Sequence, residues 1–401
     1  MLDEPLLAPP LIKNLKFYKY SAVDKSPTTK YVLRHWWDLA TKCFPMWIAP
    51  NLITLLGLGF VIANVVCQYI YDPQLLGTAP SWVYLTHALG LFLYQTFDNV
   101  DGRQARRTGS SSALGHAFDH TIDSLNCGLG GLLQAASMGL GSTKRGAIIA
   151  LIGCWPMWFS TWEEYHTHTL YLGYINGPTE GLLIAVGVHL VSGLYGPQIW
   201  HTLLPVDKNE ILGRFANSTE IELVDIFIGF VIFSSMIIHT PACFWHVKRR
   251  YGAHWEAFFG ACMQNSFYIL YNTLLVSWLF AQNSVVLQRG HLFEFSLLIT
   301  FTFGTLGPRV ILAYLTKGPF PEYNVGTFLP LVIGQFVVQV SRRLHVDSDK
   351  AALAELACLY IGMAFSCVNF ILWWINVCQH FCAELDIWCL TIKPKAQKKV
   401  E

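Results

Sequence analysis

Ten mostly apolar stretches, each near the ~20 residues needed to cross a ~30 Å hydrocarbon core, run along the chain. They begin near Trp47, Ser81, Leu114, Arg145, Pro178, Ile221, Trp255, His291, Val325 and Ala351. Several, the fifth and ninth among them, are short or broken by Gly and Pro, so eight to ten spans are expected. Ten would put both termini on one side. The pattern predicts an all-α polytopic membrane protein. Ahead of the first stretch, Tyr31–Ala40 places Val32, Leu33, Trp36, Leu39 and Ala40 at helical spacing. That is the signature of an amphipathic helix lying in the interface, with Lys30 and Arg34 towards the head groups. A helix packed on the membrane helices meets the same pattern.

Composition agrees: 53% of residues are hydrophobic and 13% charged, against roughly 25% charged in a soluble domain. The net charge of +1 carries no excess that would point to nucleic acid as a partner. The eleven cysteines sit mostly in apolar runs and never as Cys-x-x-Cys, which suits small buried hydrophobes rather than disulfides or zinc. The first twenty residues contain no continuous apolar core of a cleaved leader. With the N-terminus cytoplasmic, alternate segments hold eighteen Lys and Arg on that side and eight on the other, with Arg309 inside a span. This bias favours cytoplasmic termini and a cytoplasmic Gly102–Arg107. Lys398-Lys399 near the C-terminus resembles a dilysine retrieval signal for the endoplasmic reticulum. Asn217-Ser-Thr is a sequon on the opposite, lumenal side.

The chemistry concentrates between Asp98 and Asp123. On a helix, Asp98, Asp101, Gly102, Ala105 and Arg106 fall on one face, as do Gly115, Asp119 and Asp123 on the next. The short Gly/Ser-rich Thr108–Ser112 makes the two helices antiparallel neighbours. Four carboxylates sharing a cleft at the membrane edge repel one another unless cations neutralise them. Oxygen-only ligands select hard ions, so Mg²⁺ or Mn²⁺ is expected, with two ions clamping phosphates. Arg106 offers a planar fork for phosphate oxygens. Small residues at 102, 105 and 115 leave room for a ligand, although such a stripe also serves close helix packing. Arg103 and Arg107 read as head-group anchors.

These residues fill every position of Asp-x₂-Asp-Gly-x₂-Ala-Arg-x₈-Gly-x₃-Asp-x₃-Asp, eight fixed residues in 26 positions. The stretch thereby resembles the CDP-alcohol phosphotransferases. Leu15–Tyr20, Trp47–Asn51, Leu91–Asp98 and Ser160–Leu172 are similar to the choline and ethanolamine branch, especially its fungal members, and the similarity weakens after about Pro205. The resemblance implies CDP-choline or CDP-ethanolamine as donor, diacylglycerol as acceptor and a homodimer, and with the dilysine end the expected membrane is that of the endoplasmic reticulum or Golgi. It also implies metal held by Asp98, Asp101, Asp119 and Asp123; donor contacts from Asn51, Gly102, Ala105, Arg106 and Gly115; His120 as proton acceptor; and Glu180 assisting it. By residue type alone, Asn51 and Glu180 also suit helix caps, and His120 a structural histidine. The expected layout is a cytoplasmic segment over 1–46, catalytic helices over 47–250, further helices over 251–390 for lipid access or dimerisation, and a basic tail over 391–401.

Choline is the favoured alcohol, with ethanolamine or dual use the alternative. A cation transporter would also carry intramembrane aspartates, but Arg106 among them would repel a permeating cation. His166 and His168 fall on different faces of a helix with no cysteine near, so they do not suit a zinc and read as a structural loop.

Overall fold

The computed structural model describes residues 4–174, 177–205, 219–282, 284–321, 324–344 and 347–394. The Asn217 sequon and Lys398-Lys399 lie outside the described residues.

A π-helical turn over Thr29–Leu33 runs into α1 (Arg34–Lys42). Leu33, Trp37 and Thr41 at i, i+4 and i+8 are buried, while Val32, Trp36 and Leu39 stay exposed. The helix is packed along one edge, as the reading of a helix packed on the membrane helices expects, and leaves its other apolar edge exposed. Arg103 and Arg107 clamp it instead of anchoring to head groups. Arg103 pairs with Asp38 at 3.0 Å and lies over the Trp37 ring. Arg107 donates to the carbonyls of Thr41, in the last turn of the helix, and of Phe44, just beyond it.

The apolar stretches fold where expected. They form α2 (Pro50–Tyr71), α3 (Ser81–Thr108), α4 (Ala113–Ser137), α5 (Lys144–Ile152), α6 (Cys154–Thr167) and α7 (Leu182–Tyr195), the last led by a π turn over Gly177–Gly181. Next come α8 (Leu223–Ile232), a π-helical Phe233–His239 and α9 (Thr240–Tyr251) as one rod, then α10 (Trp255–Met263) and α11 (Ser266–Leu279). The long helices α12 (Leu292–Thr316), α13 (Val325–Arg343) and α14 (Ser348–Leu385) follow. Six of these rods are long and apolar enough to cross a membrane by themselves. The other stretches fall short for physical reasons: α3 and α4 carry the aspartates and arginines, and α5–α6 and α10–α11 are each interrupted.

Most side chains of α12 are buried, and its closest neighbour is α4. A Cβ at Gly128 would stand 2.9 Å from the Thr300 Cα, and one at Gly304 would stand 2.6 Å from Leu125 Cδ2. The missing side chains let the two helices approach closely, the usual route to helix association in lipid. Gly128→Leu should therefore cost about 1–3 kcal/mol by overpacking, seen as a lower thermal unfolding temperature in detergent. An unfolding temperature equal to wild type would show that the contact is not needed.

The N-terminal segment packs on the end of the bundle where α6 ends. Strand β1 (Ala22–Asp24) pairs in parallel with β2 (Leu170–Leu172) just after α6. Glu4 accepts from Arg309 Nε at 2.8 Å and from Trp373 Nε1 at 2.9 Å, so the arginine left inside a span by the charge pattern has a buried partner. A second strand pair, this one antiparallel, joins β3 (Leu203–Pro205) and β4 (Glu220–Glu222).

Candidate active site

Helix α3 ends because Gly109 takes the left-handed conformation, φ 64°, which costs glycine little. Ser112 Oγ then accepts from Gly115 N at 3.2 Å and caps α4. This short turn brings the two acidic stripes face to face. One carboxylate oxygen from each of Asp98, Asp119 and Asp123 lies within 4.8 Å of the others. Asp98 Oδ1 and Asp119 Oδ1 are buried and lack a hydrogen-bond partner. Orphaned carboxylate oxygens at such range are costly unless a cation joins them, and an all-oxygen donor set suits a hard divalent ion. The residues fit the metal that the sequence implies. Asp101 stands beside this triplet, interacts electrostatically with Asp98 and Asp119, and accepts from Thr54 Oγ1. Tyr94 Oη donates to Asp123. Supporting bonds of this kind fix the orientation of metal-ligating carboxylates.

The aspartates line a cavity of about 1330 Å³. Asn51, Gly102, Ala105, Arg106, Gly115 and His120 line it too, so the structure brings together nearly all the residues singled out in the sequence. Asn51 Nδ2 donates to the Cys389 carbonyl at 3.0 Å. A Cβ on Gly102 would meet only the Arg106 guanidinium, at 3.7 Å, and one on Gly115 only Asn51 Oδ1 and Ser112 Oγ, at 3.7 and 3.8 Å. These two glycines open ligand space; Gly128 and Gly304 are the ones that pack helices.

The structure adds Glu164, a residue that sequence reasoning missed. It is buried on α6 with one carboxylate oxygen 3.1 Å from His120 Nε2 and the other 3.1 Å from His116 Nε2. The two imidazoles lie 4.3 Å apart. With Nε2 committed to Glu164, His120 Nδ1 is left buried without a hydrogen bond, 3.8 Å from Asp119 Oδ2. Glu180 accepts from Ser26 Oγ at the edge of the cavity, between the lining residues Thr179 and Gly181. His166 is bonded through both ring nitrogens, to Tyr251 Oη at 2.9 Å and Gln264 Oε1 at 2.8 Å, as a structural histidine should be.

Two irregular segments complete the walls. Tyr18, Tyr20 and Asp24 come from the N-terminal wrap, and Asp386–Cys389 with Thr391–Pro394 from the chain after α14. Burial first, and then the Glu164 carboxylate, push the Tyr18 phenol far up, so it stays protonated. On the other side the cavity runs deeper. Gly130, lining it, lies seven residues beyond Asp123 on α4, about 10 Å along the axis. Ile149, Ile152, Phe227 and Val231 make that arm largely apolar beside the polar Gln134, Ser234 and Ser235, and its lining residues Ile184 and Phe230 are exposed.

A family model described as CDP-alcohol phosphatidyltransferase matches residues 47–192. The chain is 33% identical to choline/ethanolaminephosphotransferase 1 of Saccharomyces cerevisiae, over 95% of its own length and 96% of that protein. It is equally 33% identical to cholinephosphotransferase 1 of the same yeast, over 95% and 96%. With choline/ethanolaminephosphotransferase 2 of Arabidopsis thaliana the identity is 37%, over 76% and 77%.

Proposed function

The chain belongs to the CDP-alcohol phosphatidyltransferase family, and from that membership we propose that it is a diacylglycerol cholinephosphotransferase. It moves phosphocholine from CDP-choline to the free hydroxyl of 1,2-diacylglycerol, giving phosphatidylcholine and CMP. The observation that carries the reading is one cavity holding three converging carboxylates beside a carboxylate-bound imidazole, with a polar mouth and an apolar arm. A nucleotide donor suits the first, and a lipid acceptor the second.

Asp98, Asp119 and Asp123, with Asp101 beside them, hold two divalent ions, Mg²⁺ or Mn²⁺. Bound there, such ions supply positive charge to the diphosphate oxygens and to departing CMP. Arg106 binds phosphate oxygens through its planar fork, and Asn51 contacts the CDP moiety. Gly102, Ala105 and Gly115 give the diphosphate its room. Glu164 accepts the Nε2 proton of His120, which fixes the tautomer and points Nδ1 at the cleft. As the acceptor oxygen forms its bond to the phosphocholine phosphorus, its proton passes to His120 Nδ1. The bond from that phosphorus to the CMP oxygen breaks, and CMP leaves with the electron pair. Glu180 holds the rim through Ser26 and assists from there. The enzyme works as a homodimer in the endoplasmic reticulum or Golgi membrane, its termini and cavity mouth cytoplasmic, in keeping with the Lys/Arg distribution.

Purified protein given CDP-choline, diacylglycerol and Mg²⁺ should release CMP in step with phosphatidylcholine, with a higher kcat/KM than for CDP-ethanolamine. Relatives named for both alcohols favour dual use as the second reading, which equal kcat/KM values would establish. No CMP release with either donor sinks both.

A further inference from the structure

A second hollow, of about 770 Å³, lies beside the first, and Tyr18 lines both. Lys19, Arg250 and Lys317 converge on it from three separate segments: the N-terminal wrap, the end of α9 and the residue after α12. The ring of Tyr314 at the end of α12 lies 6.0 Å from that of His116 on α4, which places the hollow on the side of the cytoplasmic Gly102–Arg107 turn. No Asp or Glu lines it, and none of the three cations has an ion-pair partner among the described residues. Lys317 Nζ lies 5.5 Å from the centre of the Phe17 ring.

The walls, by contrast, are satisfied. Tyr165 Oη donates to the Gly318 carbonyl at 3.1 Å, His166 uses both ring nitrogens, and His168 stacks on Tyr314. Partial burial and then the Arg250 and Lys317 charges lower the His168 imidazolium, against a weaker pull from Glu164, so the positive field in the hollow is uncompensated. Head-group anchors scattered over a membrane protein do not share one walled hollow. Three cations around a preformed, aromatic-sided pocket at the interface do what a phosphate site requires.

We propose that this hollow is a second binding site, separate from the catalytic cavity, for a phosphate group, carried either as the monoester of a lipid head group or as free inorganic phosphate.

The test uses the full chain in phosphatidylcholine nanodiscs, titrated with dioctanoyl phosphatidic acid or inorganic phosphate while thermal unfolding is followed, since a ligand of the native state raises the unfolding temperature. Phosphatidic acid should raise it saturably. The charge-neutral triple variant Lys19→Gln, Arg250→Gln, Lys317→Gln should bind at least ~100-fold more weakly, with its CMP release in phosphatidylcholine unchanged. A rise with phosphatidic acid alone identifies a lipid head group, and the same saturable rise with phosphate identifies the free anion. Lys317→Glu alone should weaken binding by about tenfold, which keeps the test open should the triple variant fold poorly. Lys30→Gln, Arg34→Gln, outside the hollow, should bind as wild type. The proposal is overturned if neither ligand shifts wild type, if the triple variant or Lys317→Glu binds as wild type, or if Lys30→Gln, Arg34→Gln loses the shift as fully as the triple variant.

Discussion

Asp119→Asn lowers kcat by about 10³-fold or more, and it abolishes the stabilisation that Mg²⁺ gives the purified protein. Asparagine keeps the shape of the side chain and one oxygen, so the helix turn and its cap at Ser112 are untouched. What goes is one of three negative charges whose oxygens lie within 4.8 Å of one another. Removing a single preorganised stabiliser of transition-state charge typically costs 10²–10³-fold, and weakening a hard-ion site that has no neutral ligand to fall back on costs more. The second measurement separates a lost metal from a disturbed fold. Wild type unfolds at higher temperature in Mg²⁺ than in EDTA, because the ion binds only the assembled site. The variant shows no such difference, and in EDTA it is at least as stable as wild type, since it carries less unneutralised charge. An Asp119→Asn protein that keeps Mg²⁺-dependent stabilisation and activity within tenfold of wild type would remove the metal from this site.

The contrast between Asp119 and Glu164 shows what a linear sequence exposes. The aspartates share two helix faces joined by a short turn, so period 3.6 alone brings them together. The ten stretches were legible from apolar length instead, even where charges or interruptions leave fewer rods apolar enough to span unaided. Glu164 is 44 residues from His120, and no periodicity links α6 to α4. Its signal was present as Glu163-Glu164 inside an apolar helix, where a carboxylate needs a partner, yet nothing in the order of residues says which. Arg309 sends the same signal, and its partner Glu4 lies 305 residues away. Tyr18, Tyr20 and Asp24, with Asp386–Cys389 and Thr391–Pro394, wall the cavity from segments outside the helices, where no helical period exists to read. The glycines divide by packing alone: Gly102 faces empty cavity and Gly128 faces Thr300, a difference that composition does not carry.

His120→Ala should lower kcat by about 10³-fold, within the 10²–10⁴ range of general-base catalysis, while KM for CDP-choline stays within about threefold, because the imidazole is reserved for the acceptor proton. Glu164→Ala should approach that loss, since it leaves His120 Nε2 and His116 Nε2, both within 3.1 Å of the carboxylate, without the group that orients them. Glu164→Gln should lose less, about 10–100-fold, as the amide oxygen can still accept from Nε2 but no longer stabilises the imidazolium. Two residues that act as one unit are not additive, so His120→Ala, Glu164→Ala should be scarcely slower than His120→Ala alone. Steady-state kinetics on the four proteins in one lipid mixture checks this. Full additivity would make Glu164 an independent structural residue. Glu180→Gln decides the remaining choice of carboxylate: its partner at the rim is Ser26, so a modest loss there beside a large one at Glu164 assigns the orientation of His120 to Glu164. The reverse order would return that role to Glu180.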